Sequence, residues 1–243
     1  MGSRLWISIG ASIFACALAA CSAETGESDD IADPNSKFRA CKTDLIDGLE
    51  DWLLAPLYPS ENIDGHSFAS PLRRDVLSMP VGMSDHSELS WDPVPSQQET
   101  HERLWAKAGL ELPDSDVQVR ILEQSHHWSS TTVSQVAVRD AEGIWNVSEV
   151  TVLNYGSDEY EEIQPALSFR LDKRDGEALD ILIADPCIDA EPSSSDQSFI
   201  MSSGDTVWTI EIVGVRSVQP MTRVFKGFGR TALIYSILNP GRY

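Results

Sequence analysis

From Val117 onward apolar residues fall at nearly every second position, and this period constrains the fold more than any other feature of the chain. Side chains of a strand alternate between two faces, whereas those of a helix return to one face every three or four residues. The pattern predicts strands at 117–122, 131–139, 144–155, 166–171, 178–184, 206–216, 221–226 and 231–238, rich in Val, Ile, Thr, Trp and Tyr. Asp140-Ala141-Glu142-Gly143, the 172–177 stretch and Lys226-Gly227-Phe228-Gly229-Arg230 carry turn residues between them. Connections this short join antiparallel neighbours.

Two helices precede the strands. From about Ser36, Phe38, Cys41, Leu45, Leu49 and Leu53 recur at three- and four-residue steps until Pro56 and Pro59 stop the pattern. In the second helix Ser96 and Glu99 have capping-box spacing, Leu104, Trp105 and Ala108 give an apolar face, and Gly109 provides the end. Residues 54–95 are broken by prolines and carry no long element. The expected fold class is α+β, two amphipathic helices followed by a largely antiparallel sheet of about eight strands. Eight strands suffice to curl into a barrel or half-barrel.

Charge narrows the partners. With 38 acidic against 18 basic residues the net charge is −20, which disfavours nucleic acid, because phosphate contacts need clustered cations. A hydrophobic content of 42% with seven tryptophans argues for a packed core rather than disorder. Residues 22–36 differ, with acids and no base, and have the composition of an extended tether. Between Gly214 and Tyr243 the sign reverses, with bases and no acid. There Arg223, Lys226 and Arg230 flank a glycine-rich turn, a candidate patch for anionic lipid or an acidic partner unless internal carboxylates match it.

The N-terminus carries an address. Arg4 is followed by an apolar or small run from Leu5 to Ala20, the form of a secretory signal. As a helix the run would span about 24 Å, short of the ~30 Å hydrocarbon core. It ends in Leu18-Ala19-Ala20-Cys21. That tetrapeptide resembles the lipobox of bacterial lipoproteins, over residues 1–21 alone. The resemblance implies cleavage before Cys21, a diacylglycerol on its thiol and anchoring of the mature chain to a membrane by acyl chains. Ser22 stands where an Asp favours inner-membrane retention in that family, which implies delivery to the outer membrane, facing the periplasm. Residues 1–20 are then the signal, 21–36 the lipidated cysteine and tether, and 37–243 a single globular domain. Of the four cysteines, Cys41 and Cys187 fall in that domain, and an exported domain with two thiols predicts a disulfide between them.

Reaction chemistry is sparsely marked. In His126-His127-Trp128 an extended backbone turns the histidines to opposite faces, so they cannot share a metal. A helical backbone would bring Glu123 and His127 together without a third ligand. Asp64-Gly65-His66-Ser67, with Ser70 and Asp75, offers acyl-transfer residue types but no Gly-x-Ser-x-Gly elbow. Asp158-Glu159-Tyr160-Glu161-Glu162 concentrates carboxylates without the spacing of a calcium loop. No catalytic residue, metal site or cofactor is assigned. The leading expectation is a membrane-tethered, non-enzymatic domain that binds an envelope protein or other component. The alternatives are an apolar-ligand carrier with a barrel-like sheet and an envelope hydrolase.

Overall fold

The computed structural model describes residues 41, 46–57, 61–63, 66–68, 70–77, 89–90, 95–126, 130–155, 161–191, 193–194, 206–215, 221–224 and 229–240. The chain divides into two compact units, Met1–Ile31 and Ala32–Tyr243, and every described residue belongs to the second. In chain order its first elements are α1 (Glu50–Leu53), β1 (Glu61–Ile63), β2 (His66–Phe68), the 3-10 turn η1 (Arg73–Leu77), β3 (Leu89–Ser90) and α2 (Gln98–Lys107). Five strands follow, β4 (Gln118–His126), β5 (Ser130–Arg139), β6 (Trp145–Asn154), β7 (Glu161–Ile163) and β8 (Leu167–Arg170). Then come α3 (Lys173–Ala184), the 3-10 turn η2 (Pro186–Ala190), β9 (Ser193–Ser194), β10 (Thr206–Val213), β11 (Met221–Val224) and α4 (Gly229–Leu238).

The α+β class holds, with the sheet antiparallel throughout and ordered β11-β10-β4-β5-β6-β7, while β8 also pairs with β6. Strands β7 and β8 are two halves of one edge. Ile163 faces Val152 and Leu167 faces Glu149, so three edge residues stand opposite two of β6. That extra residue is a β-bulge, with Pro165 inside it and the Gln164 N–H still donating to the Thr151 carbonyl at 2.9 Å. The sheet is therefore six positions wide and open, not an eight-stranded barrel.

Two predicted strands are helices instead. Residues 178–184 lie in α3, and 231–238 lie in α4, of which every residue is buried. A run buried on all sides shows no polar stripe, so its periodicity cannot separate helix from strand. The 172–177 stretch is likewise no hairpin turn; Asp172 is the N-cap of α3 and its side chain accepts the Asp175 N–H at 2.8 Å. The first predicted helix is interrupted. Cys41 is helical, but Gly48 turns with φ of 85° and the helix resumes for only one turn at α1. The second holds as α2, with Gly109 leaving the helix at φ of 70°. Its N-cap is Gln97 rather than Ser96, whose Oγ accepts the Gln98 N–H at 3.2 Å without closing a box with Glu99.

Strand alternation sends the sheet's two faces to two cores. Val119, Ile121, Ala137, Trp145, Val147 and Ile210 face the larger, which α1, α3, α4 and the 3-10 turns complete. Leu122, Val136, Val150 and Val152 point the other way and meet Leu104 and Trp105 of α2. Helices thus cover both faces, and no barrel lumen forms among the described residues.

Candidate functional site

Arg230 decides what becomes of the basic C-terminal segment. It is 2% exposed, in the first turn of α4. Its Nε donates to Asp185 Oδ2 at 2.8 Å, and a terminal nitrogen donates to the Cys41 carbonyl at 3.4 Å. Its guanidinium also lies 4.0 Å from the Glu191 carboxylate. Internal carboxylates therefore match this charge, and Arg230 leaves the outward-facing patch expected of Arg223, Lys226 and Arg230. Arg223 pairs with Ile210 in the β10–β11 ladder, its side chain lying outside the described residues together with Lys226. Cys21 lies outside them too.

The predicted disulfide is present, with the Cys41 and Cys187 Cα atoms 5.5 Å apart and a sequence separation of 146. It adjoins the Arg230 cluster directly. Asp185 accepts from Arg230 through one oxygen and from the Cys187 N–H, at 2.8 Å, through the other. Glu191 then receives the start of α4, taking the Arg230 and Thr231 N–H groups and the Thr231 hydroxyl. A carboxylate at a helix N-terminus meets both free donors and the positive end of the helix dipole. Gly229 makes room for it, with φ of 85° and a position where a Cβ would stand 2.6 Å from Glu191 Cδ. Burial pushes the Glu191 carboxyl up to about 7, against the pull of those donors and of Arg230.

The remaining sequence candidates do not assemble. His66 and Ser67 sit in β2, with Asp64 and Gly65 outside the described residues. Asp75 Oδ2 accepts the Leu72 N–H at 3.0 Å, and Ser70 Oγ donates to the Pro71 carbonyl, so both serve local turns. His126 ends β4, while His127, Trp128 and residues 158–160 lie outside the described residues. Glu161 receives Lys107 at 2.6 Å and Glu162 receives Tyr155 and Gln164. Among the described residues no group of three His, Cys, Asp or Glu side chains is placed to hold a metal, and no helix is long and apolar enough to cross a membrane.

Sequence reasoning missed His101. It is 1% exposed on α2, with Nδ1 2.7 Å from Ser134 Oγ. Trp105 Nε1 can only donate, and gives its N–H to the same oxygen at 2.8 Å. Burial first, and the Arg120 charge second, lower the imidazole to about 3. Arg120 itself pairs with Glu211 at 3.2 Å across β4 and β10. A serine and histidine in contact resemble a nucleophile and base, but Ser134 is 0% exposed and no substrate can reach it.

Three clefts are lined by described residues. Those of about 440 and 520 Å³ flank α3, and several of their polar groups are already paired. Arg139 and Trp145 both donate to Asp180, at 2.9 and 3.0 Å, and Arg174 donates to the Asp51 carbonyl at 3.1 Å. The third, of about 490 Å³, lies between α2 and the ends of β4, β5 and β6. Its floor is a cross-strand grid in which Gln124 faces Thr132 and Ser130 faces Asn154. Thr100, Arg103, Leu104 and Lys107 form the wall, returning to one face of α2 at three- and four-residue steps. Compared with family models, curated proteins and solved structures, the chain matches none.

Proposed function

We propose that this chain is an exported lipoprotein, anchored through acyl chains on Cys21, whose folded domain is a non-enzymatic binding module of the cell envelope. The observation that carries the reading is Leu18-Ala19-Ala20-Cys21 at the end of an apolar run behind a single Arg. The Cys41–Cys187 disulfide supports it, since such bonds persist in oxidising compartments outside the cytosol. The acidic 22–36 stretch supplies a tether of suitable composition. The sealed Ser134–His101 contact and the locally paired Asp75 give an envelope hydrolase no working centre among the described residues. An apolar carrier would need a lumen, and the open sheet with helices on both faces offers none there.

The test is membrane fractionation of the full chain with labelled palmitate. Label on the wild-type chain, and none on Cys21→Ser, is the expected result. Equal labelling of the two, or none of either, would contradict it.

A further inference from the structure

We infer that the cleft between α2 and the ends of β4, β5 and β6 binds a hydroxyl-rich saccharide bearing one carboxylate. This rests on the proposal that the domain is a binding module, and names its site and ligand class. At about 490 Å³ the cleft is of small-ligand size.

The decisive observation is chemical. None of the side chains of Thr100, Arg103, Gln124, Ser130, Thr132 and Asn154 has a hydrogen bond or ion pair among the described residues. All but Arg103 are half-buried. In the other two clefts Arg139, Trp145 and Arg174 are already engaged, by Asp180 and the Asp51 carbonyl. Two carboxamides and three hydroxyls, each both donor and acceptor, form a surface matched to ligand hydroxyls and amides.

The charge is equally specific. Lys107 is held by both oxygens of Glu161 at 2.7 and 2.6 Å, which neutralises that cation. Arg103 remains, and its planar fork suits a carboxylate. A polyanion would be repelled by a chain of net charge −20, so a single acidic group fits best. A peptide fits poorly. Strands β4 and β5 are paired on both sides, so no free main-chain edge at the floor could take up an added strand.

The test is titration of the full chain, purified from whole-cell lysate in detergent, followed by ligand-observed NMR. The probes are the disaccharide of glucuronic acid and N-acetylglucosamine and its carboxyl-reduced form. The acidic sugar should bind about tenfold tighter than the reduced one, a difference of about 1.4 kcal/mol. Arg103→Gln, an exposed change that leaves the core intact, should bring the acidic sugar down to the reduced one's affinity. Asn154→Ala should weaken both. Equal affinity for the two sugars, indifference to Arg103→Gln, or no binding of either at about 10 mM would overturn the inference. Fractionation of the same preparations separates the two claims. Anchored protein that binds neither sugar removes the cleft and keeps the lipoprotein, while unanchored protein that binds does the reverse.

Discussion

At the scale of single residues, Gly229 and Glu191 constrain each other. A methyl group on Gly229 would run into a buried carboxylate at 2.6 Å, on a backbone whose φ of 85° already disfavours side chains. Gly229→Ala should cost about 1–3 kcal/mol and lower the melting temperature by several degrees. Gly109→Ala is the control, since its φ of 70° carries only the backbone penalty and nothing lies within 4 Å. Equal losses for the two would remove the steric account. Two buried groups give stability a pH signature of opposite signs. The unfolded chain protonates His101 near 6.5 while the folded chain refuses until about 3, so stability falls as pH drops through that window. Folded Glu191 keeps its proton up to about 7 while the unfolded chain releases it near 4.5, so its contribution is full below 4.5 and lost as pH rises to 7. Each slope is at most about 1.4 kcal/mol per pH unit. In urea titrations, the stability of Glu191→Gln relative to wild type should therefore rise between pH 4.5 and 7. That of His101→Gln should fall as pH rises from 3 to 6.5. Parallel profiles for all three proteins would contradict these assignments.

At the scale of elements, the disulfide ties the segment before α1 to η2, beside the cluster that receives α4. Replacing both cysteines by serine should destabilise the domain by about 2–5 kcal/mol, with the loop-entropy limit near 5 for a separation of this length. The denaturant midpoint is the measurement, and an unchanged midpoint would show that the bridge constrains nothing. This pairing was legible in sequence because only two cysteines lie beyond residue 21. The strands β4, β5 and β6 were legible because each alternates between two differently covered faces. Helix α4 was not, since Ala232 to Leu238 is buried throughout and shows no polar stripe. Helix α3 is amphipathic, with Ala178, Leu179, Leu182 and Ile183 buried at helical spacing, and was obscured by turn-like residues in its first turn. Asp172 was the available signal, an N-cap that resembles turn chemistry when read alone. The Arg230 cluster could not be read at all, because Glu191 and Asp185 lie 39 and 45 residues from their partner. The polar cleft was equally hidden. Gln124, Thr132 and Asn154 become neighbours only through strand register.

At the scale of the whole molecule, an open sheet must manage its edges. The β7–β8 edge carries a bulge, Pro165 and the charges of Glu161 and Arg170, all of which discourage pairing with another chain. The net charge of −20 acts in the same direction, keeping copies apart. These features suit a domain held at a membrane by its N-terminus and presenting a polar cleft rather than an edge. The central claim is that the mature chain begins at an acylated Cys21. Mass spectrometry of the protein recovered from membranes tests it most directly. The account predicts an N-terminal peptide that starts at Cys21 and carries acyl chains, with Cys41 and Cys187 linked. A mature N-terminus elsewhere, or an unmodified Cys21 thiol, would contradict it.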